Sequence, residues 1–308
     1  MKHIYHIFFV ITLACIVPQT LLAQNDIQQT NYMFNELSYN PAYAGATGTI
    51  RATLLGRKQW VGFDGSPFTQ TLAFDAATKR LGSWGFLAIN DVLGFQRFVH
   101  AKALYSYSVH FSEKTTWTAG LGGGIIYSSL DGTSLEYQNK EIPDPEGIFD
   151  MQRDIRPTFD AGMQFLHNNL SLGLSITHVQ QSLRSATLAD NPQHFYFYGQ
   201  YKWNLNTNLY AVPTIWVKHG SNKTQADANM NFYINQRFWL GATYRINEAA
   251  AFLAGIILKE QWYIGYSYDF PISDLTGYNW GSHEIFISFR LKPAAPQSGF
   301  YQSTRLFN

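Results

Sequence analysis

Apolar and polar residues alternate with a period of two along most of this chain. Within 99–111, Ala101, Ala103, Tyr105, Tyr107, Val109 and Phe111 share one face, and His100, Lys102, Ser106, Ser108 and His110 the other. Leu170, Leu172, Leu174 and Ile176 alternate with Ser171, Gly173, Ser175 and Thr177. Trp262, Ile264, Tyr266, Tyr268 and Phe270 oppose Tyr263, Gly265, Ser267 and Asp269, and Ile285, Ile287, Phe289 and Leu291 oppose Glu284, Ser288 and Arg290. Successive side chains of a strand leave on opposite faces, so each run predicts a strand with one apolar and one polar side. The pattern predicts strands at 48–57, 67–75, 83–90, 99–112, 116–128, 156–167, 169–178, 193–203, 207–217, 226–235, 236–246, 249–259, 261–270 and 283–291. Most are about nine to twelve residues long, above the ~5–6 of ordinary strands and matched to the ~9–11 that cross a bilayer at a tilt.

Loop length sorts by parity. Links after odd-numbered strands are mostly long (RKQWVGFDGS, NDVLGFQRF, residues 129–155, HVQQSLRSATLADNP, KHGSNKTQAD, PISDLTGYNWGS), whereas EKT, HNN, NLNT, NQ and KEQ are short. AATKRLGS and the link at Asn247 and Glu248 break the rule. Long surface loops and short periplasmic turns are the pattern of an outer-membrane barrel. The fold class is therefore all-β: a transmembrane antiparallel β-barrel of about fourteen strands with both ends of the sheet in the periplasm. Trp117, Tyr127, Trp203, Trp216, Trp239, Trp262 and Tyr268 fall near strand ends, where rings at the headgroup level are expected.

Composition separates this reading from a periplasmic sandwich or propeller with a Tyr-rich core. Charged residues are 14% of 308, with Lys+Arg 22 against Asp+Glu 21, and aromatics are 16%. A soluble domain of this size would carry roughly 25% charge. The balanced charge gives nucleic acid no basic footprint. The first residues, MKHIYHIFFVITLACIVPQTLLAQ, show a basic start, an apolar run over 7–17 and a small residue at Ala23, which predicts a secretory signal peptide over 1–23. The single Cys, Cys15, lies inside it; lipid attachment there would need a bulky apolar residue at position 12, where Thr12 stands. Without that leader the chain has no thiol for disulfides, zinc or nucleophilic catalysis.

No catalytic, cofactor or metal pattern assembles. The nine His are scattered singly, and Gly120, Gly122, Gly123 and Gly124 lack the strand-then-helix context and Lys-Ser/Thr of a phosphate cradle. The carboxylates Glu136, Glu141, Asp144, Glu146, Asp150 and Asp154 fit no calcium-loop spacing. His100 or His110 would serve a membrane hydrolase, but no motif supports one.

Two stretches are too specific for loop filler: NYMFNELSYNPAYAGATG before the first strand and GRKQWVGFDGSPFTQTL after it. Tyr32, Phe34, Tyr39 and Tyr43 need burial, which folding back into the barrel or along its mouth supplies. Their motifs resemble the start of the PorP/SprF family, outer-membrane proteins associated with the type IX secretion system: Asn40, Pro41, Ala42, Tyr43, Ala44, Gly45, Arg57, Gln59, Trp60, Gly62, Gly65, Pro67 and Thr69 follow the family's order and spacing. Glu36-Leu37-Ser38 stands where an apolar or aromatic step is more usual. The resemblance implies a non-enzymatic barrel that binds or anchors a large secreted adhesin or its C-terminal domain. It also implies contact with the periplasmic ring of the secretion machine and its peptidoglycan-linked lipoprotein, sometimes for gliding motility. On this reading 24–47 is a periplasmic or plug-like segment, 48–291 the barrel in outer-membrane lipid, and 292–308 a periplasmic tail. Partner contacts are expected at Arg57, Trp60, Phe63, Tyr278 and Trp280, since Trp, Tyr and Arg dominate interface hot spots. The alternative is a passive channel for small solutes.

Overall fold

The computed structural model describes residues 27–78, 81–134, 150–179, 192–220, 223–273, 277 and 279–291. Its strands are β1 (Ile50–Lys58), β2 (Phe68–Ala77), β3 (Ser83–Leu93), β4 (Gln96–Ser112), β5 (Thr115–Asp131), β6 (Met151–His167), β7 (Leu170–Thr177), β8 (His194–Tyr201), β9 (Trp203–Asn204), β10 (Leu209–Gly220), β11 (Lys223–Ile234), β12 (Phe238–Arg245), β13 (Ala249–Leu258), β14 (Trp262–Pro271) and β15 (Ser282–Leu291). Each pairs antiparallel with its neighbour, and β1 pairs with β15 from Ile50↔Leu291 to Lys58↔His283, which closes the sheet. Strands β8 and β9 both lie on β10 and form one stave interrupted at Lys202, where Pro213 of β10 has no N–H to donate. The result is a closed barrel of fourteen antiparallel staves, as the alternation predicts. Closure leaves no unpaired edge, the condition for a sheet to cross lipid.

The two ends of the barrel differ. Connections 59–67, 132–150, 178–193 and 272–281 share the loop end, while 113–114, 168–169, 235–237 and 259–261 form tight turns at the other. Asn235 (φ 51) with Gln236 (φ 53), and Lys259 (φ 51) with Glu260 (φ 56), adopt the paired left-handed conformation whose twist matches the strands. Two expected long loops are instead tight hairpins. Strands β3 and β4 run on to Leu93 and Gln96, and β10 and β11 to Gly220 and Lys223, so ladder bonds replace most of both links. The predicted leader, the 292–308 tail, Tyr278 and most of the acidic connection lie outside the described residues.

Outward positions such as Leu54, Phe252, Ile285 and Ile287 are exposed, and alternate positions such as Thr53, Ser267, Asp269 and Ser288 are buried inside. The expectation for Trp216 and Trp239 is corrected. They are 2% and 0% exposed, with their rings in the lumen rather than at the lipid boundary, whereas Trp117, Trp203 and Trp262 do face outward. The lumen is dry enough to bury these rings because residues 27–49 pass through it.

Candidate functional site

The lumenal segment descends from the loop end to the turn end. Its first described residues meet β14 and β15 near their loop-end termini, and its last meet β2 near the turn end. Three 3-10 turns, Tyr32–Phe34, Glu36–Ser38 and Pro41–Tyr43, fold it compactly enough to fill the bore.

The lower turn is built by Asn40. Its Oδ1 accepts from Ala42 N–H at 2.9 Å and caps a helical turn whose first residue is Pro41, a proline position that sacrifices no hydrogen bond. Its Nδ2 donates to the carbonyls of Met163 and Leu174, both at 3.2 Å, so one side chain ties the turn to β6 and β7. The barrel wall is hollowed to receive it. A Cβ on Gly162 would stand 2.0 Å from Asn40 Oδ1, one on Gly120 2.2 Å from Ala42 N, and one on Gly173 2.8 Å from the Tyr43 hydroxyl. Ser106 donates to the Ala44 carbonyl, and Gly45, at φ 67, donates its N–H to Asp75 Oδ2 at 2.9 Å. Asp75 also accepts from Arg51, which bridges to Glu36 at 2.8 Å.

Aromatic rings fill the middle. Tyr32 stacks on Trp216 at 4.8 Å between centroids, and Phe34 lies between Phe286 at 4.4 Å and Trp239 at 4.8 Å. Tyr39 meets Tyr196, Tyr198 and Trp216, and Tyr43 meets Tyr198 edge-on. Tyr32, Tyr39 and Tyr43 are 0%, 3% and 3% exposed, so the plug contributes apolar ring surface rather than charge to the middle of the bore.

Charge dominates the upper part. Thr30 N–H and Asn31 N–H donate to Glu284 at 3.0 and 2.6 Å, and Thr30 Oγ1 donates to Asp269 at 2.7 Å. Arg57 donates to Asp269 at 2.8 Å, to Thr30 Oγ1 at 3.0 Å and to Glu284 at 3.3 Å. Arg245 donates to Asp227 and Asp269, both at 3.1 Å, and to the Gln29 carbonyl at 3.2 Å. Two guanidinium groups and three carboxylates thus enclose 29–31, and each carboxylate pairs with at least one guanidinium.

Above this network the first and last loops of the loop end join. Val61 N–H donates to the Gly281 carbonyl and Trp280 N–H to that of Val61, both at 2.8 Å, and Trp60 N–H donates to Ser282 Oγ at 3.2 Å. Trp60 sits at φ 44, a strained conformation for a bulky residue that these bonds hold. Gly62 (φ 91) lies against the Trp280 ring, where a Cβ would stand 2.5 Å from its nearest carbon. Phe63 and Trp280 are left 57% and 77% exposed.

Of the expected partner residues, Trp60, Phe63 and Trp280 meet in this rim, while Tyr278 lies outside the described residues. Arg57 belongs elsewhere. It is 1% exposed, and a guanidinium enclosed by Asp269 and Glu284 holds the plug rather than touching an external partner. Asn40, Pro41, Tyr43 and Gly45 form the lower seat. Strand alternation puts Asp269 and Glu284 on polar strand faces but does not reveal that Thr30, Asn31, Arg57 and Arg245 meet them there. The available signal was charge at inward strand positions opposite a polar pre-strand segment. His100 lines the lumen with its ring 5.8 Å from that of His178, and His110 bonds Thr116. Among the described residues, no three His, Cys, Asp or Glu side chains are placed to hold a metal ion.

The sequence model of one protein family, described as type IX secretion system membrane protein PorP/SprF, matches residues 21–289. Comparison with curated proteins returns no match. Among solved structures, the chain is similar to the outer membrane protein Omp33 of Acinetobacter baumannii, at 8% identity and a TM-score of 0.48, covering 79% of this chain and 99% of that one. It is also similar to BamA from Haemophilus ducreyi lacking POTRA domains 1–3, at 8% identity and a TM-score of 0.43, covering 79% and 70%.

Proposed function

The chain belongs to the type IX secretion system membrane protein PorP/SprF family, and from that premise we propose that it binds or anchors a secreted surface protein through the rim of its loop end. It resides in the outer membrane, and its family and fold are those of a secretion-system barrel rather than of an enzyme class. In this reading the loop end faces the medium and the tight turns face the periplasm, where the secretion ring and its peptidoglycan-linked lipoprotein are met. Residues 24–47 are the plug, 48–291 the barrel and 292–308 a periplasmic tail.

The observation that carries this reading is the exposure of Phe63 and Trp280 on loops locked by backbone bonds. Large rings held rigidly lose little entropy on contact, which is what an interface anchor requires. A passive channel is disfavoured because 27–49 occupies the bore with buried rings and paired charge.

The test is Trp60→Ala with Phe63→Ala. The barrel should assemble normally, shown by its mobility on an unheated gel. Surface retention of the secreted protein that co-purifies with the barrel should fall by at least about tenfold, the factor carried by one hot-spot residue. Unchanged display of that protein would refute the rim's role.

A further inference from the structure

On the outer wall, strands β15, β1, β2, β3 and β4 enclose an apolar trough of 450 Å³ directly below the loop end. Paired residues explain its shape. Gly56, Gln70, Asn90 and Val99 form one transverse row of outward positions, and Leu54, Leu72, Ala88 and Ala101 form the next row down. Gly56 and Ala88 make the floor, while Leu54, Leu72, Ile285 and Ile287 form the flanks. The row above it is Lys58, Phe68, Val92 and Arg97, with a cation at each end. Three strand spacings separate the two cations, about 14 Å along the backbone.

A polar ladder crosses the top of this trough on the side that should be greasy. Arg97 Nε donates to Asn90 Oδ1 at 2.7 Å, and Asn90 Nδ2 donates to Gln70 Oε1 at 3.1 Å. The ladder orients the guanidinium and uses only its Nε, leaving the forked terminal nitrogens for a ligand. Lys58 Nζ rests on the Ser66 carbonyl at 2.7 Å. Among the described residues neither cation enters an ion pair, although every buried Arg of the plug network has a carboxylate. Such charge on a lipid-facing wall is costly unless an anion meets it.

We infer that this wall binds a phosphate-bearing lipid of the leaflet at the loop end, with its headgroup on Arg97 and Lys58 and an acyl chain in the trough. A planar fork matches phosphate oxygens in bidentate fashion, and apolar space immediately below selects an amphiphile over a soluble anion.

The full chain, purified in detergent, is titrated with dioleoyl phosphatidylglycerol and separately with dioleoyl phosphatidylcholine, and retained lipid is read by native mass spectrometry. The expected result is one tightly held phosphatidylglycerol, preferred by at least about tenfold, the factor a bidentate charged contact supplies. Arg97→Gln should abolish the preference, alone or with Lys58→Gln, and Ala88→Leu should fill the trough and lower retention of both lipids. Gel mobility without heating verifies that each variant is folded. Equal retention of the two lipids, a preference that survives Arg97→Gln, or displacement of the lipid by millimolar inorganic phosphate would each overturn the assignment.

Discussion

At the turn end of the lumen, residues 40–45 sit where Gly120, Gly162 and Gly173 give the wall no side chains, and Asn40 bonds to backbone carbonyls. At the loop end, residues 29–31 are held by Asp269, Glu284, Arg57 and Arg245 through charged side chains. The lower seat is mainly steric: residues 40–44 fit one backbone path between wall glycines, and its one charged contact is Gly45 N–H on the Asp75 carboxylate. The upper seat is electrostatic, and its worth is the difference between a large attraction and a large desolvation cost. Removing one charge there strands its partners, whereas enlarging one residue below forces the whole turn to move. The plug thus has a fixed foot and a charge-dependent head.

The largest test of that contrast is at the head. Arg57→Met leaves Asp269 with only Arg245 and Glu284 with no cation, and should destabilise the folded barrel by about 3–5 kcal/mol. The shift is read as a lower urea midpoint for gel-mobility loss. A shift no greater than that of an exposed control such as Arg153→Met would show that water already solvates the head.

At the foot, Gly162→Ala places a methyl group on Asn40 and should cost about 1–3 kcal/mol through overpacking. This loss should be insensitive to salt, because nothing charged is removed. An unchanged midpoint would mean that the turn shifts freely and the seat is not steric.

The smallest effect belongs to the cap. Asn40→Ala should cost about 0.5–2 kcal/mol, the range of a lost N-cap. If Asn40→Ala proved as damaging as Arg57→Met, the bridge between β6 and β7, rather than the cap, would be its main role.

Period-two alternation was readable because it is local. Side chains of neighbouring residues leave a strand on opposite faces whatever the strand later pairs with, and all fourteen predicted segments have a matching stave. The errors arose where another rule was set above alternation. Trp239 lies between Phe238 and Leu240, which face outward, so parity already placed it inside; its position near a strand end suggested the lipid boundary instead. Loop length misled at Gly220 and Lys223 because polar residues in KHGSNKTQAD continue a ladder whose inward face is polar. What Gly120 of β5 makes room for is a turn from elsewhere in the chain, invisible to any local pattern.

The sequence alone determined which side of every strand faces lipid and which faces the lumen, since that follows from backbone geometry residue by residue. Tertiary structure alone decided which charges meet. Arg57 and Glu284 lie 227 residues apart and become neighbours only because β1 closes on β15, and Thr30 joins them only because its segment threads the bore. Ring closure and threading are properties of the whole sheet, so no window of sequence contains them.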